Sequence, residues 1–504
     1  MTPIARPSRP LVAFVLAVAL VRLTAAAFIP LSEDEAYYRL WAEHLQFGYY
    51  DHPPMIGWWV RVGMAIAGDS PLGVRLLPVL SSGLASLVVF DLAASLGADQ
   101  AVAARATVWF NATLLVGAGS ALAVPDSPNM LFWVLALNAL ARADRAPRPA
   151  PWWILAGAAA GLATLSKYSA LFLAPGVLLW LASTPKGRRS LLTPWPWVAA
   201  LVAAALFGLN VAWNAQHHWV TFIKQFGRAV PASFAPINLA WFVIGQLILI
   251  TPSIAWFAGR GAVAAFSRRR PGLPVELGLP LATSLPFLAY LVLHSLHDRV
   301  EAHWPAPLYP AIALVAAVGA EMFGRSGYQR GLRQRAAGIG LSLSGLVFLH
   351  LAIPATDLGP ADPALGFRGW PDFAARIEAL RVSSGAAWIG TLSYGTTAEL
   401  ASTGKIHAPI VELRERERYP PNDASWQADL TKPGLVVDLQ ERVRSAGLAR
   451  CFAQVQPLAD QPRGDPHGPA APYGVARVAG GAPAGGDCGP KFAPGGRQAT
   501  QISG

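Results

Sequence analysis

From residue 11 to about residue 353 the chain alternates apolar runs near twenty residues with short polar breaks. Beyond that point the apolar runs shrink to a few residues and alternate with Pro, Asp and Arg. An apolar run of about twenty residues matches the hydrocarbon thickness of a bilayer. The pattern predicts spans near 11–29, 76–96, 102–122, 127–142, 152–166, 169–183, 195–213, 237–258, 276–294, 305–323 and 337–353. Residues 30–75 are too patterned for a plain connection. Ala36, Leu40 and Leu45 recur near helical spacing in EDEAYYRLWAEHLQ, and a second apolar stretch with Trp58 and Trp59 follows Pro53-Pro54. Two interfacial helices are expected in this first loop.

After residue 354, PDFAARIEALRV predicts a helix from Asp372, and AAWIGTL, GLVVDL, FAQVQPL and YGVARV read as short strands. The expectation is a polytopic α-helical membrane protein of about 11 transmembrane helices with a small C-terminal α/β domain. Its parts are a membrane domain over 1–353, the α/β domain over 354–479, and a disordered tail over 480–504 rich in Gly, Ala and Pro.

Composition sharpens this. Of 504 residues, 53% are hydrophobic and only 14% charged, against about a quarter charged in soluble domains. The net charge of +11 lies wholly within residues 1–353, which hold 25 Lys/Arg against 14 Asp/Glu. Nucleic-acid binding is therefore a poor explanation of it. Its clusters (Arg142/Arg145/Arg148, Lys186/Arg188/Arg189, Arg268–Arg270, Arg325/Arg330/Arg333/Arg335) all fall on one side of the predicted spans. The positive-inside bias makes that side, and the N-terminus, cytoplasmic. The C-terminal domain is then extracytoplasmic. An N-terminal signal peptide is a competing reading of the first span. The excess of Arg over Lys and the abundant Ala hint at a GC-rich bacterial genome and an inner-membrane home. Cys451 and Cys488 fall in the exported part, where a disulfide is chemically allowed.

With sides assigned, the acids and histidines of the membrane part collect outside. Glu33, Asp34, Glu35, Asp51 and His52 lie in the first loop, Asp126 in the turn VPDSPNM, Lys167 and Tyr168 in LSKYS, and His303 in a late loop. Each has a bland explanation: solvated acids, a turn and helix cap at Asp126, a snorkelling Lys167, an aromatic-belt anchor at His303-Trp304. Together they suggest one outer-face site. A lysine and histidines at headgroup depth suit a lipid-linked phosphate, and carboxylates suit proton removal from an acceptor. No nucleotide-binding signature or Asp-x-Asp pattern is present.

EDEAYY, YYDHPPMIGWW, GVRLLPVLSS, VPDSPNMLFWVLAL, GLATLSKYSALFL and HWPAPLYPAIAL, with a looser match in SYGTTAEL, resemble in order the GT-C glycosyltransferases of the protein-mannosyltransferase-like and aminoarabinose-transferase-like group. The resemblance implies a polyprenyl-phosphate sugar donor and transfer to an envelope acceptor such as lipopolysaccharide or lipid A, another glycan or a protein. It implies catalytic roles for Asp34, Asp126 and Glu35. Lys167, His303, His52, Asp51 and Tyr168 are expected around the donor phosphate, across a cavity shared with the acids. Asp51-His52 stand where the aminoarabinose enzymes carry Glu-Lys, and Tyr37 replaces the arginine of an Asp-Glu-Ala-Arg motif. No cofactor is required by these motifs, and a divalent cation is left open. A lipid-linked sugar flippase is the competing class; such transporters usually show internal repeats and mid-membrane ionisable groups.

Overall fold

The computed structural model describes residues 6–227, 233–267, 275–353, 358–359, 362–419, 428–445 and 447–481 of the chain. Arg268–Arg270, Cys488 and nearly all of the expected tail lie outside them, as does any bridge to Cys488. The chain forms two compact units, Met1–Ala26 with His52–Phe348, and Ala27–Asp51 with Leu349–Gly504.

The first unit is helical. Six of the described helices are long and apolar enough to cross a membrane: Arg9–Phe28, Pro71–Ser95, Trp195–Gln216, Gly278–Ser295, Ala306–Phe323 and Gly327–Ala352. Others at expected spans, such as Ala150–Thr164 and Tyr168–Ser183, are helical but shorter. The expected span 237–258 is broken: Ile237–Ile250 and Pro252–Phe266 meet at 105°. Thr251 takes a positive φ of 70° there, and Pro252 has no backbone N–H with which to continue the ladder. The expected span 102–122 is likewise split at Thr113 between Gln100–Ala112 and Leu114–Gly119. Arg22, buried in the first helix, reaches that break. Its guanidinium donates to the carbonyls of Gly117 (3.2 Å) and Val116 (2.9 Å), to Ser82 Oγ and to Asn111 Oδ1 (both 3.0 Å). A cation inside apolar packing is costly unless its donors are satisfied, and carbonyls in the last turn of the short helix Leu114–Gly119, with Ser82 and Asn111, satisfy them. Close helix contact elsewhere uses small residues: a Cβ on Gly261 or Gly319 would strike the facing backbone, of Val315 and Phe257 respectively, so glycine lets the Pro252–Phe266 and Tyr309–Phe323 helices touch.

In the second unit a six-stranded sheet runs in the order β2-β1-β3-β6-β4, with β5 also pairing β6. The strands are β1 (Trp388–Thr391), β2 (Ile410–Glu412), β3 (Gly434–Leu439), β4 (Phe452–Pro457), β5 (Gln461–Asp465) and β6 (Gly468–Gly481). β1 is parallel to β2 and β3, and β6 is antiparallel to β3, β4 and β5. Successive strand residues face opposite ways. Leu435 and Val437 pack with Trp370, Phe373, Ile377 and Tyr473 on one face, and Val436 packs with Trp388, Leu413 and Phe452 on the other. The helix expected from Asp372 spans Trp370–Ser383.

Residues 30–75 do contain two helices, Glu33–Glu43 and Met55–Ala67. Expected to stay with the membrane domain, they divide between the units: Ala27–Asp51 belongs with the C-terminal segment, which itself begins at Leu349. The reason is packing. Ala36, Tyr37, Leu40 and Trp41 bury the apolar face of Glu33–Glu43, which lies on the helix Tyr394–Ser402.

Candidate active site

In the membrane unit, Asp126 opens the helix Asp126–Arg145 directly after Pro125. A carboxylate in the first turn is favoured by the partial positive charge of the helix N-terminus. Lys167 is the extended residue between the helix Ala150–Thr164 and the turn Tyr168–Phe172. Its ammonium donates to both oxygens of Asp126, at 2.8 and 2.7 Å. His303 Nε2 lies 3.7 Å from Asp126 Oδ2 and is half exposed, whereas the Asp126 carboxylate is buried. Two side chains from two distant segments thus gather around one carboxylate. Tyr168 anchors the lysine turn: its hydroxyl donates to Asn210 Oδ1 at 2.8 Å, and Phe207, Phe222 and Phe226 pack its ring. It was expected at the donor phosphate and instead serves inside the helix packing. His52 is half-buried, just ahead of the helix Met55–Ala67.

In the other unit, Asp34 lies in the first turn of Glu33–Glu43, and Tyr394 donates its hydroxyl to Asp34 Oδ1 at 2.8 Å. A cavity of about 240 Å³ is lined by Ser32, Glu33, Asp34, Gly366 and Tyr394. Glu33 keeps exposed surface on this cavity. Burial nonetheless raises its carboxyl above the usual range, as do Asp34 and Asp438, while Arg463 and Arg442 pull it down. Glu35 is fully buried and has another occupation. Its Oε2 accepts from the Ser32 amide and hydroxyl, both at 3.0 Å, closing a capping box in which Ser32 caps the helix in return. The spacing Ser32-x-x-Glu35 is the sequence signature of that box and offered the structural alternative to a catalytic Glu35.

Asp51, expected near phosphate, pairs with the guanidinium of Arg418. Arg418 is itself buried, with its Nε 2.5 Å from Glu415 Oε2. Its guanidinium lies 4.7 Å from the ring centres of Tyr50 and Tyr394 and 5.9 Å from that of Tyr37. A buried cation is tolerable with such partners. Sequence reasoning missed Arg418, because its partner Asp51 is 367 residues away. Tyr394 carried a faint signal, lying within SYGTTAEL. Among the described residues no three His, Cys, Asp or Glu side chains gather in a group that could hold a metal ion.

Residues 51–213, which include Asp126 and Lys167, match the family model of dolichyl-phosphate-mannose-protein mannosyltransferase. The structure of ArnT from Cupriavidus metallidurans bound to undecaprenyl phosphate superposes over 93% of this chain and 98% of that one, with a TM-score of 0.63 at 14% identity. The chain shares the fold of that structure. Among curated sequences, lipid A galacturonosyltransferase RgtD of Rhizobium johnstonii is 29% identical over 293 residues, 56% of this chain and 59% of that protein. An undecaprenyl phosphate-alpha-4-amino-4-deoxy-L-arabinose arabinosyl transferase of Sodalis glossinidius is 26% identical over 260 residues, 48% of this chain and 45% of that protein. The chain thus spans between two fifths and three fifths of the length of these two relatives. Asp126, Lys167 and His303 fall in the helical unit, and Asp34 in the unit that carries the sheet.

Proposed function

We propose that the protein is an integral membrane glycosyltransferase that moves a monosaccharide from a polyprenyl-phosphate carrier to a lipid A-type or related envelope acceptor. It works at the periplasmic face of a bacterial inner membrane, with its N-terminus cytoplasmic and its sheet-bearing unit outside. The observation that carries this reading is the gathering of an ammonium and an imidazole on one buried carboxylate, Asp126, which with Lys167 lies in the segment that matches the mannosyltransferase family model. The names of the two curated relatives, both sugar transferases and one of them acting on lipid A, support it.

In this reading Lys167 and His303 hold the donor phosphate, with His52 as a further contact. An ammonium has three N–H donors, and Asp126 takes two of them, so a third can meet a phosphate oxygen without breaking the pair. Asp126 orients both side chains. Asp34 removes the proton from an acceptor hydroxyl, and the resulting oxygen forms a bond to the anomeric carbon. The bond from that carbon to the phosphate oxygen breaks, and polyprenyl phosphate leaves with the electron pair. Attack opposite the leaving group inverts the anomeric configuration. The positive charge of Lys167 and an N–H of His303 offset the charge that grows on the phosphate.

The test is incubation of the purified protein in vesicles with labelled undecaprenyl-phosphate 4-amino-4-deoxy-L-arabinose, or the galacturonic acid counterpart, and lipid A. Label appearing on lipid A is expected. Donor that crosses the bilayer with no transfer identifies a flippase and overturns the proposal.

A further inference from the structure

The segment SYGTTAEL supplies Tyr394 to the Asp34 cavity, and the transfer reaction above assigns this residue and its neighbours Ser393 and Gly395 nothing. Ser393 caps the helix Tyr394–Ser402, and its hydroxyl also donates to Oδ2 of the buried Asp438 at 2.9 Å. Tyr394 donates to Asp34 across 360 residues of chain. Gly395 lies so close to the Glu33 carboxylate that a Cβ would overlap it. The phenol is held from several directions. Arg418 faces its ring at 4.7 Å, the Tyr37 ring centre is 5.2 Å away, and Tyr419 donates to the Tyr394 carbonyl at 3.1 Å. The negative charge of Asp34, with burial, raises the Tyr394 phenol well above its ordinary range. It therefore remains a protonated donor at neutral pH.

We propose that Tyr394 is a positioning residue for Asp34: its O–H fixes the rotation of the carboxylate at the cavity wall and stabilises its ionised form. A carboxylate free to turn would meet the acceptor hydroxyl in poor geometry, and misplacement on the scale of 1 Å can cost about 100-fold in rate. A donated hydrogen bond to the charged form also keeps a base deprotonated to lower pH. The proposal rests on Asp34 being the base.

The experiment compares Tyr394→Phe, Asp34→Asn and the double variant of the full chain. The donor is whichever of undecaprenyl-phosphate 4-amino-4-deoxy-L-arabinose or its galacturonic acid counterpart the wild type turns over, with lipid A as acceptor. Tyr394→Phe is expected to lower kcat about 10- to 100-fold and leave the donor KM within about threefold. The acidic limb of its kcat/KM profile should move up by about one pH unit. The double variant should lose no more than Asp34→Asn alone. Wild-type kcat and an unmoved limb in Tyr394→Phe overturn the proposal while leaving Asp34 as the base. Losses that multiply in the double variant also overturn it, since Tyr394 would then act apart from Asp34. Full activity of Asp34→Asn removes the base assignment, and the positioning role falls with it. If Tyr394→Phe fails to fold, Tyr394→3-fluorotyrosine preserves the shape and strengthens the donor. The limb should then move to lower pH, and an unmoved limb overturns the proposal.

Discussion

Asp126, Lys167 and His303 show how little a single residue discloses on its own. A lysine at a helix end could snorkel, an aspartate between prolines could only turn the chain, and a histidine beside a tryptophan could mark the interface. The structure joins them, because a largely buried ammonium and a buried carboxylate each need the other. Removing one partner of such a pair leaves an uncompensated charge at a cost of about 3–5 kcal/mol. Lys167→Ala should therefore lower the melting temperature measurably in detergent and weaken donor binding by at least about tenfold. Replacing both partners, Asp126→Ala with Lys167→Ala, should recover stability but not donor binding. Thermal melts and titration with undecaprenyl phosphate separate the two effects. Glu35 behaves otherwise, as the reciprocal partner of Ser32 in the capping box. Glu35→Ala should cost about 1 kcal/mol of stability, read as a fall in melting temperature that Glu35→Gln, with its remaining acceptor, largely avoids.

At the scale of elements, apolar periodicity disclosed most helices and four of the six strands. β2 and β5, of three and five residues, were too short and too mixed to stand out. The bend at Thr251 was hidden because Ile248–Ile254 is apolar apart from Thr, Pro and Ser, so only Pro252 hinted at it. The loop leading into the Trp370–Ser383 helix is tied to β5 by Arg368. Its guanidinium donates to both oxygens of Asp465, at 2.9 and 2.6 Å. That bond, foremost among several causes, holds the Asp465 carboxyl below its ordinary range. A carboxylate depressed in the folded state adds stability that is complete above its unfolded value, about 3.9, and is lost as pH falls through the folded value. Melting temperature should therefore decline more steeply below about pH 4 in the wild type than in Arg368→Met. The variant should start lower at pH 7 by roughly 2 kcal/mol of stability. Parallel melting curves across that window would contradict the assignment.

For the whole molecule, charge distribution was the most legible feature: a surplus of +11 confined to the helical part, with its basic clusters on one side of the predicted spans. It yields an orientation that can be checked directly. An alkaline phosphatase fusion after residue 481 should be active, and a green fluorescent protein fusion there dark; the reverse would place the sheet outside the periplasm. The Asp34 site was only half legible. Hydropathy exposed its acids, but its tyrosine and arginine come from a segment more than 340 residues later, where only the loose match of SYGTTAEL touches the tyrosine and no local pattern marks the arginine. Such partners are found only when the chain has folded. The measurement that bears most directly on the account is the transfer rate of Asp34→Asn with an undecaprenyl-phosphate sugar and lipid A, alongside its affinity for undecaprenyl phosphate. Loss of a general base predicts a fall in kcat of at least about 100-fold with carrier affinity retained. Transfer at near the wild-type rate would contradict it.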